Sequence, residues 1–140
     1  TGYLHWGHDI SPEENQYQAG LQFAISYKKN IDFIGKESLL KIKNKKDTKK
    51  FAMLTLNDSK PGEPLLLHDE PIYKDNKIIG RTTSGNFSFN FNKNLAFGYI
   101  NSELSNEDLK KENLFIEVEK IKHPATIITK PLNNKNIRNL

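Results

Sequence analysis

The sequence predicts a mainly β fold, a small all-β barrel or sandwich that follows a shorter mixed segment. Two observations carry this prediction. From residue 51 onward, β-rich segments recur with turn residues between them. These segments are residues 51–56, 71–74, 77–83, 86–91, 95–100, 114–120 and 125–130. A lysine-rich run at residues 41–50 separates them from a first part of different composition. The 140 residues are about one domain, long enough to bury a core.

The part ahead of the lysine run predicts one strand and one helix. Residues 20–27 alternate apolar and polar side chains, as a half-buried strand does. Residues 36–45 place two leucines and an isoleucine at the spacing of a short amphipathic helix, and Asp32 is a candidate start signal for it. We therefore place a boundary in the lysine run, with one segment at residues 1–48 and a second at residues 49–140.

The second segment contains its own turn and helix signals. Residues 74–77 predict a hairpin turn, because Asp and Asn tolerate the left-handed conformations of tight turns. Further on, Leu114, Ile116 and Val118 alternate with more polar positions, which predicts a strand with one buried face. Residues 105–111 predict one helical turn, with acidic residues early and lysines late, as the helix dipole prefers.

The charge and composition bound the class of protein. The net charge of +4 comes almost wholly from lysine, since Arg81 and Arg138 are the only arginines. The chain has no cysteine, no signal-peptide pattern and no run of eighteen apolar residues. We therefore expect an intracellular protein, cytoplasmic or in the mitochondrial matrix if eukaryotic, with no membrane partner.

The lysine run admits two interpretations. Basic patches bind nucleic acid by neutralising phosphates, which makes a nucleic-acid-binding barrel one alternative. The run contains no arginine and has a single aromatic neighbour, Phe51, so it offers little for stacking on bases. A solvated helix end and linker is therefore the preferred interpretation, with no nucleic-acid partner.

Residues 2–10 are the most distinctive stretch, because two histidines, an aspartate and the only tryptophan are packed between glycines. His5, His8 and Asp9 are of metal-ligand type, but His5 and His8 lack the i, i+4 spacing of two ligands on one helical face. We therefore expect no metal. No Gly-x-Gly-x-x-Gly is present, so the chain carries no Rossmann fingerprint for a flavin or a nicotinamide.

Ser84 is a candidate nucleophile that the sequence does not support. It is not within a Gly-x-Ser-x-Gly motif, and no general base is identifiable near it. A hydroxyl-rich strand end that turns at Gly85 is the preferred interpretation. Gly85 and Gly98 are expected to allow tight turns or a close approach of backbones.

Five motifs in order carry a family resemblance: residues 2–10, 19–23, 32–37, 80–85 and 96–100. Together they resemble the carboxyl-terminal part of the glycine-cleavage T-protein (aminomethyltransferase) family. The His-Trp-Gly-His-Asp-Ile stretch that starts at His5 and the Glu-Pro-Ile-Tyr stretch that starts at Glu70 are most similar to folate-dependent dimethylglycine and sarcosine dehydrogenases. The chain begins at Thr1, without methionine and inside the first motif, so we expect it to be a piece of a longer protein.

The resemblance implies a fold and an activity for that longer protein. Residues 1–48 would be the trailing strand and helix of an α+β folate-binding domain, and residues 49–140 an antiparallel barrel built as a distorted jelly roll. The parent would form 5,10-methylenetetrahydrofolate from tetrahydrofolate and a methylene unit. FAD is possible in the parent but is not expected on this chain, which is expected to be inactive alone. The alternative is a non-catalytic structural or interaction barrel.

The resemblance also implies the site residues. In T-proteins an aromatic residue immediately before the motif's glycine lines the folate cavity, and Trp6 occupies that position, with His5 and Tyr3 as neighbours. Some members bring a basic residue from this region toward the folate, for which Arg138 is the candidate, with Arg81 as the alternative. The family's catalytic aspartate lies far upstream, so no catalytic residue is assigned here. The plain alternative is that the two aromatic side chains belong to the core.

Overall fold

The computed structural model describes residues 2–43, 45 and 48–132 of the chain. Within these residues six strands form one closed antiparallel barrel. In chain order the elements are a 3-10 turn (Gln22–Ala24), helix α1 (Lys36–Lys43), β1 (Lys49–Leu56), β2 (Pro71–Lys74), β3 (Lys77–Ser88), β4 (Lys93–Asn101), helix α2 (Asn106–Leu109), β5 (Leu114–Val118) and β6 (Ile121–Ile128). None of the helices described is long and apolar enough to cross a membrane.

The barrel follows the order β1-β4-β3-β2-β5-β6, and β6 pairs back onto β1. Closure is visible in the register, where Leu54 of β1 pairs with Ala96 of β4 on one side and with Ile127 of β6 on the other. Strands β2, β3 and β4 follow one another, while β1 lies beside β4 and reaches β2 through the long connection at residues 57–70. This is a Greek-key path. The mainly β prediction is confirmed, as a barrel and not a sandwich.

The core lies inside the barrel and comes from alternate positions of the strands. Fully buried apolar side chains include Leu54, Ile72, Ile100, Ile116 and Ile127. Burying one such side chain contributes about 1.5–3 kcal/mol relative to leaving it in water. The alternation predicted for β5 is confirmed, since Leu114, Ile116 and Val118 are buried while the residues between them are half-buried.

Strand β3 corrects one prediction. The sequence predicted two strands separated by a turn at Gly85, but β3 runs as one strand of 12 residues through that position. Gly85 is needed for packing, because a Cβ there would lie 2.6 Å from the side chain of Leu66. A glycine inside a strand thus marks close approach here and not a turn. The register of β3 against β4 shifts between Thr82 and Ser84, which is a β-bulge.

The tight connections follow local sequence. Asp75 adopts φ 53 in the β2–β3 hairpin, so the predicted turn is confirmed. Glu119 and Lys120 have φ 51 and 67, the left-handed pair of a type I′ turn, so β5 ends at Val118 and not at residue 120. The predicted helical turn at residues 105–111 is confirmed as α2, whose N-cap Ser105 accepts a hydrogen bond from the Asp108 N–H at 3.1 Å.

Of the two elements predicted ahead of the barrel, the helix is present and the strand is not. Helix α1 lies inside the predicted range, but the strand predicted at residues 20–27 is wrong, because that stretch is a 3-10 turn with irregular flanks. No described strand pairs with it, and an extended chain needs such a partner for its backbone groups. Asp32 does not cap α1, since it precedes the helix start by four residues and pairs with Lys36 at 3.6 Å. None of the described residues from 20 to 45 is buried.

Candidate functional site

Residues 2–10 form a tight loop against the outside of the barrel. The His5 carbonyl accepts hydrogen bonds from the N–H groups of His8 at 3.2 Å, Asp9 at 2.8 Å and Ile10 at 3.3 Å. The Gly7 N–H donates back to the Ile10 carbonyl at 2.9 Å, and Gly7 takes the positive φ of 91° that this reversal requires. Trp6 therefore lies at the tip of a closed ring of backbone hydrogen bonds. We call residues 5–10 the Trp6 loop.

Asp9 joins this loop to the barrel. Its side chain is among the few buried polar groups, and the residue is only 3% exposed. Oδ2 accepts from the His5 N–H at 2.9 Å, while Oδ1 accepts from the hydroxyls of Thr83 and Ser84, both at 2.7 Å. The Asp9 carbonyl accepts from the Tyr99 hydroxyl at 2.9 Å. One residue thus connects the loop to β3 and β4 together.

Two ionisable side chains near Asp9, those of Tyr99 and Glu14, have pKa values that are shifted by their surroundings. Burial, together with the nearby carboxylates of Glu14 and Asp9, raises the pKa of Tyr99 well above its ordinary value, so its hydroxyl remains a donor. Burial also acts to raise the pKa of Glu14, but hydrogen bonds from Lys49 and Ser11 outweigh it and lower that pKa. Lys49 Nζ lies 2.6 Å from Glu14 and 5.0 Å from the centre of the Tyr99 ring.

A cleft of about 1190 Å³ opens beside the Trp6 loop. It is bounded by the loop, by residues 10–23 and by side chains of β1 and of the α2 end of the barrel. The lining includes Tyr3, Trp6, Phe23, Phe51, Met53, Glu14, Gln16, Asn106 and Glu107. Aromatic walls with a few polar groups are typical of sites for flat organic ligands. The cleft is slightly larger than the usual range for small-molecule sites, about 300–1,000 Å³.

The predicted site residues divide into three groups. Tyr3 and Trp6 both line the cleft and are 84% and 66% exposed, so they are not core side chains in this chain. His5 is not part of the lining; its exposed ring lies 4.9 Å from the ring of His8, centre to centre. Arg138 lies outside the described residues. Arg81 pairs with Asp69 at 2.9 Å and does not line the cleft.

Two further sequence features, the histidines and the lysine run, have the following arrangement in the described part of the chain. The described residues contain no grouping of three or more His, Asp or Glu side chains that would hold a metal ion. The lysine run was interpreted as a solvated helix end and linker, but its last two residues belong to β1. Lys49 pairs with Glu14, and Lys50 Nζ donates to the Leu104 carbonyl. These two lysines therefore stabilise the fold.

Sequence reasoning missed Asp9 and assigned Ser84 a different role. The motif showed an aspartate between His8 and Ile10, but nothing local indicated that its partners lay some 75 positions away. The adjacent hydroxyls of Thr83 and Ser84 were the available signal. Paired hydroxyls within a strand satisfy a buried carboxylate without introducing charge.

Comparison with known proteins identifies a family and several relatives of this chain. Residues 49–133 match the family described as glycine cleavage T-protein C-terminal barrel domain. Over 129 residues the chain is 36% identical to a mitochondrial dimethylglycine dehydrogenase of Rattus norvegicus, covering 91% of this chain and 14% of that protein. Over 95 residues it is 36% identical to an aminomethyltransferase of Symbiobacterium thermophilum, covering 68% and 24%. The chain thus spans a quarter or less of the length of these relatives.

A solved structure shows the same fold. The glycine cleavage system aminomethyltransferase T from Bartonella henselae superposes with a TM-score of 0.76 over 93% of this chain and 35% of that one. The identity is 21%, so this likeness concerns the fold alone. Together these comparisons confirm the resemblance that the motifs indicated.

Proposed function

Because this chain belongs to the glycine cleavage T-protein C-terminal barrel family, we propose that it is the carboxyl-terminal part of a tetrahydrofolate-dependent one-carbon transfer protein. The parent takes a methylene unit from a methylated glycine, by flavin oxidation or from an aminomethyl carrier, and forms 5,10-methylenetetrahydrofolate. The identity with dimethylglycine dehydrogenase supports the first source. Any FAD is held upstream of this chain, and the parent acts in the cytoplasm, or in the mitochondrial matrix if eukaryotic.

The exposed Trp6 ring carries the proposal. Large aromatic side chains are costly to leave in water, yet Trp6 is 66% exposed on a loop that is fixed by hydrogen bonds. A pteridine is a flat heterocycle with polar atoms on its periphery, which suits an aromatic wall with nearby polar groups. In this proposal Trp6 and Tyr3 form one wall of the folate cavity, His5 stands beside them, and Arg138 is the candidate basic contact.

The rest of the cavity belongs to an upstream folate-binding domain of the same parent. The part of the chain ahead of the barrel exposes Phe23, Ile31, Ile34 and Leu40, which is unusual for a surface that faces only water. A neighbouring domain that covers these side chains would also close the cleft. Closure protects a reactive methylene donor from water. The chain supplies a wall and a cap, and no catalytic group.

Titration with 5-formyltetrahydrofolate tests this proposal. We expect saturable heat in calorimetry with the 140-residue chain, together with quenching of Trp6 emission, which is unambiguous because Trp6 is the only tryptophan. Trp6→Leu should abolish the heat. Phe89→Leu is the matched control, since Phe89 is 82% exposed and does not line the cleft.

The opposite result favours the alternative function. A folded chain that gives no heat, or a Trp6→Leu variant that binds as well as the original chain, would make this barrel a structural or interaction module without folate contact. A Gly-x-Gly-x-x-Gly in the coding sequence upstream of Thr1 would identify the parent as the dehydrogenase type.

A further inference from the structure

We infer that Asp9 is the positioning residue of the Trp6 loop, and that the β-bulge in β3 directs two hydroxyl groups toward the Asp9 carboxylate. The inference rests on the proposed function in one respect, since the purpose of the positioning is to hold Trp6 against the folate. Asp9 itself does not line the cleft and touches no ligand in this scheme. Its action is through the loop.

The bulge explains how two successive side chains reach one oxygen. In a regular strand adjacent side chains point to opposite faces, so the hydroxyls of Thr83 and Ser84 would diverge. The register instead pairs Thr82 with Gly98 and Ser84 with Phe97, which leaves Thr83 as the extra residue. Both hydroxyls then lie 2.7 Å from Asp9 Oδ1. Bulges that redirect a side chain in this way are common beside functional sites.

The two carboxylate oxygens have separate tasks. Oδ1 is held by the barrel, through the two hydroxyls, while Oδ2 is held by the loop itself, through the His5 N–H at 2.9 Å. Trp6 follows His5 directly and precedes Asp9 by three residues. It is therefore fixed on both sides by groups that the same carboxylate orients. The Tyr99 hydroxyl on the Asp9 carbonyl adds a second, independent attachment to β4.

This arrangement gives a ligand-facing tryptophan without burying it. The attachment lies in the buried residue, which is 3% exposed, so the backbone that carries the indole is held in place without a pocket around the ring. A loop backbone that is already ordered loses less entropy when a ligand binds. Without the Asp9 carboxylate the loop would keep its backbone hydrogen bonds and the Tyr99 contact, but it would lose its attachment to β3 and the hydrogen bond from the His5 N–H.

The test measures the local motion of Trp6 in a folded barrel. In Asp9→Asn only one acceptor oxygen remains, so it serves either the His5 N–H or the two hydroxyls; the other side must meet the NH₂, and the charge-assisted hydrogen bonds of the carboxylate are lost in either orientation. We expect a larger fast component in the anisotropy decay of Trp6 emission and a loss of about tenfold in 5-formyltetrahydrofolate affinity, equivalent to about 1.4 kcal/mol. Asp75→Asn is the matched control, because Asp75 is exposed and its φ of 53° suits asparagine.

Two further variants keep the inference falsifiable if Asp9→Asn fails to fold. Thr83→Val and Ser84→Ala each remove one hydroxyl from Oδ1, and both should increase Trp6 motion while circular dichroism of the barrel is unchanged. Unchanged anisotropy in all folded variants would overturn the inference. A chain that does not bind 5-formyltetrahydrofolate at all would contradict the proposed function, while the Trp6 anisotropy would still decide the role of Asp9.

Discussion

Glycines at two positions, Gly80 and Gly98, let β3 and β4 approach more closely than side chains would permit. A Cβ on Gly98 would lie 2.5 Å from the Arg81 carbonyl oxygen and 3.1 Å from Ile72 Cδ1. A Cβ on Gly80 would lie 2.0 Å from the Tyr99 carbonyl oxygen. Because the nearest atoms at both positions are backbone, the neighbouring strand would have to move. Of the two alternatives expected for Gly85 and Gly98, a tight turn or a close approach of backbones, Gly98 shows the close approach, while Gly85 lies against the Leu66 side chain.

Gly98→Ala should destabilise the barrel by about 2 kcal/mol or more, since overpacking of this kind displaces backbone. The free energy of unfolding in urea measures it. Gly20→Ala is the control, because Gly20 has φ 71 but open space at its Cβ position, and it should incur only the left-handed penalty of about 1–2 kcal/mol. Destabilisation of less than about 2 kcal/mol at Gly98 would contradict the steric explanation.

The segment ahead of the barrel is attached to β1 by the Glu14–Lys49 pair. The Glu14 side chain is only 10% exposed, and it accepts from Lys49 Nζ at 2.6 Å and from the Ser11 hydroxyl at 2.7 Å. Charge-assisted hydrogen bonds of this kind contribute about 1.5–3 kcal/mol when partly buried. We expect this pair to hold the loops that form one side of the cleft.

The pair should make stability dependent on pH. The pKa of Glu14 is lower in the folded chain than its ordinary value of 4.5, so the stabilisation is complete above that value and is lost as the pH falls through the folded pKa. Glu14→Gln should therefore be less stable than the original chain near pH 7, by about 1–2 kcal/mol, and the difference should shrink toward pH 3. Chemical denaturation at several pH values measures this; a constant difference would contradict it.

The β-rich segments of the barrel and its local turns were predicted, but the continuity of β3 through Gly85 and the lack of a strand at residues 20–27 were not. Alternation in β5, the Asp75 turn and the α2 turn are local, and each was identified. Residues 20–27 alternate just as clearly but have no described strand beside them. In the site, Trp6 and Tyr3 were proposed from the family resemblance and line the cleft, while the hydrogen bonds of Asp9 could not be foreseen without knowing that β3 passes beneath the loop.

The barrel has a packed apolar core, whereas the segment ahead of it buries very few of its side chains. The main cluster of buried apolar side chains lies in the strands, the 57–70 connection and α2. Among the described residues ahead of the barrel Ala19 is the one buried apolar side chain, and none from 20 to 45 is buried. Stability is expected to differ accordingly, because segments with few buried contacts open locally at low free energy.

Amide hydrogen exchange should reveal this difference. Protection in α1 should be lower than in β1 and β4 by several orders of magnitude, since helix amides there exchange through local opening while strand amides require global unfolding. Mass-spectrometric exchange of the 140-residue chain measures both. Equal protection in α1 and β4 would show that the segment is part of one cooperative unit.

The pairing of β6 with β1 limits how a neighbouring domain could contact this barrel. Since the described sheet closes on itself, it presents no edge strand with unpaired backbone groups to which a neighbour might add a strand. A neighbouring domain would then contact the barrel through side chains and loops, and these can be substituted without changing the hydrogen bonds between strands. A segment beside this barrel can therefore differ without any change in the strand pairing, and the relatives named as a dehydrogenase and as an aminomethyltransferase match this chain over only 14% and 24% of their own lengths.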